Sequence, residues 1–152
     1  MLIELLVVLA VIALVAMFGI RQVTRARMAV REELALNHLR TIAAACALYQ
    51  RATQHVPVDL TALGPSGGEP PYLDEQLAQP SLTLQGYRIS YARTDATSFT
   101  LHADPVRHGV TGRRHFVTDE RREVHTTELN RPAELNDPVA AVFEWVTRRG
   151  PA

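Results

Sequence analysis

Residues 1–20 read MLIELLVVLAVIALVAMFGI, and how this stretch is understood decides the fold. Eighteen of the twenty residues are apolar, Glu4 and Gly19 being the exceptions. As a helix rising about 1.5 Å per residue the segment reaches roughly 30 Å, the thickness of the hydrocarbon core of a bilayer. A carboxylate there is expensive unless something neutralises it, so Glu4 is a functional candidate in search of a partner.

Working outward, no proline occurs before Pro57, and the only glycine before Gly64 is Gly19. Nothing forbids a single helix over residues 1–53, a rod about 80 Å long. After Ile20 the composition turns to Arg, Glu, Gln and Ala, and apolar residues recur at Leu36, Leu39, Ile42, Cys46 and Tyr49. That is helical spacing and predicts one buried face. The rod thus divides into a front segment, 1–20, greasy on every side, and an amphipathic rear, 21–53. One protein surface covers only one stripe of a helix, so the front belongs in lipid or among other helices. Gly19, the poorest helix former of the rod, is the expected point of any local melting.

Residues 55–80 are punctuated by Pro57, Gly64, Pro65, Gly67, Gly68, Pro70, Pro71 and Pro80, which predicts a loop. Short helical turns fit within it at Leu60 to Leu63 and Tyr72 to Leu77. Beyond it, four short alternating runs predict strands: Gly86 to Tyr91, Phe99 to Ala103, His115 to Val117 and Val124 to Thr126, the last two flanking the polar turn Asp119 to Arg122. Four strands on short turns make an antiparallel sheet, whose apolar face the Leu36 to Tyr49 stripe would cover. The class is α+β: a long N-terminal helix, and a head over residues 54–152 packed on residues 34–53. The tail from Leu129, with Pro132 and Pro138, is expected to be extended, with Val139 to Val146 as a terminal helix or edge strand.

Sixteen basic and sixteen acidic residues leave a net charge of zero, so no global field draws the chain to nucleic acid. All basic residues are Arg. The single Cys46 excludes an intrachain disulfide, leaving the head to be held by packing. The apolar run exceeds a secretory h-region, has no basic n-region and no small-residue cleavage site, so it is expected to be retained. Arg21, Arg25, Arg27 and Arg31 favour the cytoplasmic side, and a removed basic leader would reverse that orientation.

Candidate chemistry is sparse. His102 and Asp104 share one face of a strand, and with His108 and His115 they could be drawn as a metal cluster. The blander reading places His102 and Asp104 on the solvated face opposite Phe99 and Leu101, and is preferred. Adjacent Asp74 and Glu75 face different ways on a helix, which argues against a paired acid and base. The run GPSGG at 64–68 lacks the Lys and helix of a phosphate loop, and no serine stands in a hydrolase elbow. Arg113, Arg114, Arg121 and Arg122 bracket the third strand, but Asp119, Glu120 and Glu123 interrupt any basic strip, so an ion-paired surface is expected rather than a nucleic-acid grip. No enzymatic activity, cofactor or metal is expected.

The motif Leu2-Ile3-Glu4-Leu5-Leu6-Val7-Val8, continued by the apolar run to Ile20, resembles the N-terminal segment of the type IV pilin and type II secretion pseudopilin superfamily. NHLRTIAAACALY at 37–49, Leu60 to Gly64, Gly86-Tyr87, and Thr111 to Arg114 through Phe116, Asp119 and Glu120 are similar to one bacterial pilin-like subgroup. The family usually shows Phe-Thr where Met1 stands alone, often has a Pro where Gln22 and Val23 stand, and favours a turn glycine in place of Arg122.

The resemblance implies a pilin fold and a non-enzymatic subunit, with Met1 and Glu4 the assembly residues. Such a subunit is held in the inner membrane, processed and methylated by a prepilin peptidase, and extruded by the pilus assembly machinery into a homopolymeric filament on the cell surface. In the filament core the Glu would face the N-terminal ammonium of a neighbour, and pairing the two charges would fix axial register. A secretion pseudopilin or minor pilin is the first alternative. A membrane-anchored periplasmic binding or metal-dependent catalytic domain is the alternative of another class.

Overall fold

The fold was obtained as a computed structural model, which describes residues 1–68 and 70–140 and, for residues 18–21, the backbone without the side chains. Helix α1 runs unbroken over Leu2–Thr53, 52 residues. It stops at Gln54, whose φ of 64° turns the chain left-handed while its N–H still donates to the Gln50 carbonyl at 2.8 Å. Pro57 follows and could not have continued the helix. The backbone stays helical through Gly19, so the local melting expected there is not present in the single chain.

The 3-10 helix η1, Leu60–Leu63, occupies the first expected turn, capped by the Asp59 carboxylate, which accepts from the Ala62 N–H and the Thr61 hydroxyl. The second expected turn, Tyr72 to Leu77, is not helical. A single turn remains there, with the N–H groups of Leu77 and Ala78 both donating to the Asp74 carbonyl.

The sheet has five strands rather than four: β1 Leu82–Leu84, β2 Tyr87–Arg93, β3 Phe99–Pro105, β4 His115–Asp119 and β5 Val124–Thr127. They lie in sequence order, each antiparallel to the next. The additional strand, β1, stands inside the stretch predicted as loop. Three residues next to Pro80 carry too little alternation to register, and it is pairing with β2 through Leu82↔Ile89 and Leu84↔Tyr87 that makes them a strand. Gln85 (φ 51°) and Gly86 (φ 85°) form the two-residue turn between them, both left-handed, as a type I′ hairpin requires.

Leu36, Leu39, Ile42 and Cys46 of α1 are buried against the sheet, with Tyr49 packed at the margin. The sheet presents Tyr87, Ile89, Phe99, Leu101, Ala103, Phe116 and Val124 to this core. Two phenols reach out of it: the Tyr87 hydroxyl donates to the Arg114 carbonyl at 2.8 Å and the Tyr91 hydroxyl to the Pro57 carbonyl at 2.6 Å. Burial pushes both phenols above their ordinary range. Gly112 is required by the first of these, since a Cβ there would collide with the Tyr87 ring.

The opposite face is less open than alternation alone suggests. β4 is buried on both sides, with Val117 1% and His115 6% exposed. Part of the tail returns along the free edge of β5, where the Thr126 N–H donates to the Pro138 carbonyl and the Ala140 N–H to the Val124 carbonyl. Pairing of this kind blunts the edge strand. Of the segment expected as a terminal helix or edge strand, Val139 bridges His125, and residues 141–146 lie outside the described residues.

Candidate functional site

The front of α1 is a bare apolar cylinder. From Leu2 to Val8 the apolar side chains Leu2, Ile3, Leu5, Leu6, Val7 and Val8 are 53–81% exposed, and the exposure continues to Met17. The helix carries an 18-residue window of mean hydropathy 2.9, none of it buried within the chain, so it is long and apolar enough to cross a membrane. Fully burying each such side chain is worth about 1.5–3 kcal/mol, so a row of them left in water is a strong drive toward lipid or other helices.

Glu4 sits in the first helical turn, where exposed backbone N–H groups and the helix dipole favour a carboxylate. It shares a shallow apolar cleft with Met1, Leu2, Leu5 and Val8. Among the described residues no hydrogen bond or ion pair reaches its carboxylate.

Where the rod meets the head, Glu32 turns inward. Its Oε1 accepts from the Arg113 N–H at 2.8 Å and the Arg114 N–H at 3.4 Å, tying the segment before β4 to the helix. The Arg114 guanidinium lies 5.3 Å from the centroid of the Phe116 ring.

The histidines and Asp104 come together only in part. The Asp104 carboxylate contacts His115 Nδ1 at 2.6 Å, and His115 Nε2 lies 3.3 Å from His108 Nδ1, with the two rings stacked at 5.5 Å. Asp104 and His108 are therefore linked through His115. His102 stands apart, its Nδ1 buried without a hydrogen-bond partner. Among the described residues no three His, Cys, Asp or Glu side chains are arranged to hold a metal.

The arginine strip is split. Arg113 and Arg114 face Glu32 through their backbone, whereas Arg121 and Arg122 stand beside Arg40 of α1 across a cleft of about 370 Å³. Arg40 was not singled out in the sequence, because its partners in space are more than eighty positions away. Helical spacing from the buried stripe, which leaves Arg40 at its border, is the one signal that could have found it.

Compared with known proteins, the chain matches no family model, no curated protein and no solved structure. The functional reading rests on the residues and their geometry.

Proposed function

We propose that this chain is a structural subunit of a helical filament of the type IV pilus kind, polymerising through the front half of α1. The observation that supports it is a helix half, apolar on every described side, that among the described residues packs against no other element and carries an unmatched Glu4 in its first turn. In an aqueous monomer this half has no place. In a bilayer it is accommodated before assembly, and in a bundle of like helices it is buried afterward. In the bundle Glu4 meets the N-terminal ammonium of a neighbour, each charge neutralising the other. A wrong axial register leaves both unpaired in a dry core, so the pair selects one register.

The head, on this reading, stays outside the bundle and presents its surface to solvent. The subunit resides in the inner membrane and then at the cell surface, with a prepilin peptidase and the assembly machinery as partners. No step calls for catalysis, a cofactor or a metal. A secretion pseudopilin or minor pilin uses the front helix in the same way.

Electron microscopy of the native material tests the proposal. Thin, uniform fibres containing this chain are expected, and Glu4→Ala should abolish them or sharply reduce its incorporation. Monomeric Glu4→Ala and parent chains with equal activity in the membrane would instead mark an anchored, non-polymerising domain.

A further inference from the structure

The cleft between α1 and the β4–β5 turn is lined by Arg40, Ala43 and Ala44 of the helix and by Thr118, Arg121 and Arg122 of the sheet. Val124 of β5 lines it as well, beside the two alanines and Thr118. Among the described residues none of the three guanidiniums has a carboxylate within ion-pair reach. Arg122 is also held at φ 65°, in the left-handed region that an arginine adopts only at a cost. Three like charges around an unfilled space form an anion site.

The chain carries as many acidic as basic residues, so carboxylates are at hand to meet these arginines. Asp74 and Glu75 are such acids, adjacent, exposed and without a side-chain partner among the described residues. They follow Tyr72 and Leu73: the Tyr72 ring meets Tyr49 on the other flank of α1 edge-on at 5.8 Å, and both backbone N–H groups donate to the Leu63 carbonyl of η1. At about 100° per residue, Tyr49 lies half a turn around α1 from Arg40. The acidic knob and the basic cleft therefore occupy opposite flanks of one head. Glu120 and Glu123 next to the cleft interrupt it as a track for a polyanion.

We infer that the Arg40, Arg121 and Arg122 cleft receives the Asp74–Glu75 knob of a second copy of this chain. Knob and cleft lie on opposite flanks, so the contact is heterologous, the kind that builds an open filament where successive rotations do not close into a ring. This inference deepens the polymer reading by naming the surface through which heads recognise one another.

The test uses the full chain in detergent micelles, which cover the apolar front of α1 and leave the heads free to associate, followed by sedimentation velocity. Self-association should weaken as salt rises. Arg121→Glu with Arg122→Glu, and separately Asp74→Arg with Glu75→Arg, should each weaken it at least tenfold. An equimolar mixture of the two variants should restore it, since each then offers the other complementary charges. The neutral Arg121→Gln, Arg122→Gln chain, with the thermal melt of the parent, should fall between. Unchanged association on charge reversal, or no rescue on mixing, overturns the inference. So does a cleft whose reversal abolishes binding of a single-stranded oligonucleotide or of inorganic phosphate while association persists. Because detergent removes the helix bundle from the measurement, head pairing that survives alongside Glu4-independent or absent fibres would sink the filament reading alone.

Discussion

His115 Nδ1 stands 2.6 Å from a carboxylate oxygen of Asp104, on the sheet face turned away from α1. An ionised carboxylate only accepts, so the imidazole Nδ1–H donates to it, and in the neutral ring Nε2 is left to accept from the His108 Nδ1–H. The contact orders a ring that is almost fully buried. Asp104→Ala leaves a buried N–H without its partner and is expected to lower stability by about 1–3 kcal/mol in urea unfolding. Asp104→Asn, which keeps an acceptor oxygen, should lose less. Equal losses for both variants would show that the contact adds nothing.

Glu32 joins the rod to the head across 81 positions of sequence through its bond to the Arg113 N–H. Glu32→Ala is expected to cost about 1 kcal/mol, the ordinary net value of one such bond. Amide hydrogen exchange should quicken at Arg113 and Arg114 while the core strand β3 keeps its protection. Unchanged exchange at those two amides contradicts the assigned role.

Arg131 grips Asp137 with two nitrogens, at 3.0 and 2.6 Å, and the Glu134 N–H donates to the same carboxylate at 2.8 Å. The guanidinium first, and then the amide, hold the Asp137 carboxyl below the usual carboxylate range. A group whose pKa is lower in the folded state contributes stability above its unfolded value, about 3.9, and that contribution is lost as pH falls through the folded value. The parent should therefore lose more stability than Asp137→Asn as the pH is taken down from about 5 to 2. Parallel pH profiles for the two chains would remove this pair from the acid response.

Cys46 lies in the helix–sheet core, and burial pushes its thiol up to about 12. The thiolate is the reactive form, so at pH 8 the folded chain should resist alkylation by iodoacetamide. Reaction is expected only as urea unfolds the head, with the labelling midpoint matching the loss of circular dichroism. Prompt labelling without denaturant would mean that the rear of α1 lifts off the sheet.

Much of the helix was legible in the sequence, because a long Pro-free run and apolar residues at helical spacing are local signals that neighbouring residues satisfy together. Leu36, Leu39, Ile42 and Cys46 could be assigned to the covered face on spacing alone. The exposed apolar front could be anticipated for the same reason: a helix greasy all round cannot be covered by one small head.

Tertiary structure decided the rest. β1 is a strand because β2 supplies its hydrogen bonds, and nothing in Leu82–Leu84 announces that within three residues. Which of the paired acids and arginines are already engaged was equally out of reach, since Glu32 closes on a loop in the far half of the chain while Arg40 is brought beside Arg121 and Arg122 with no acid among them. Periodicity is written into consecutive residues, whereas contacts between distant charges exist only once the chain has folded back and chosen a register.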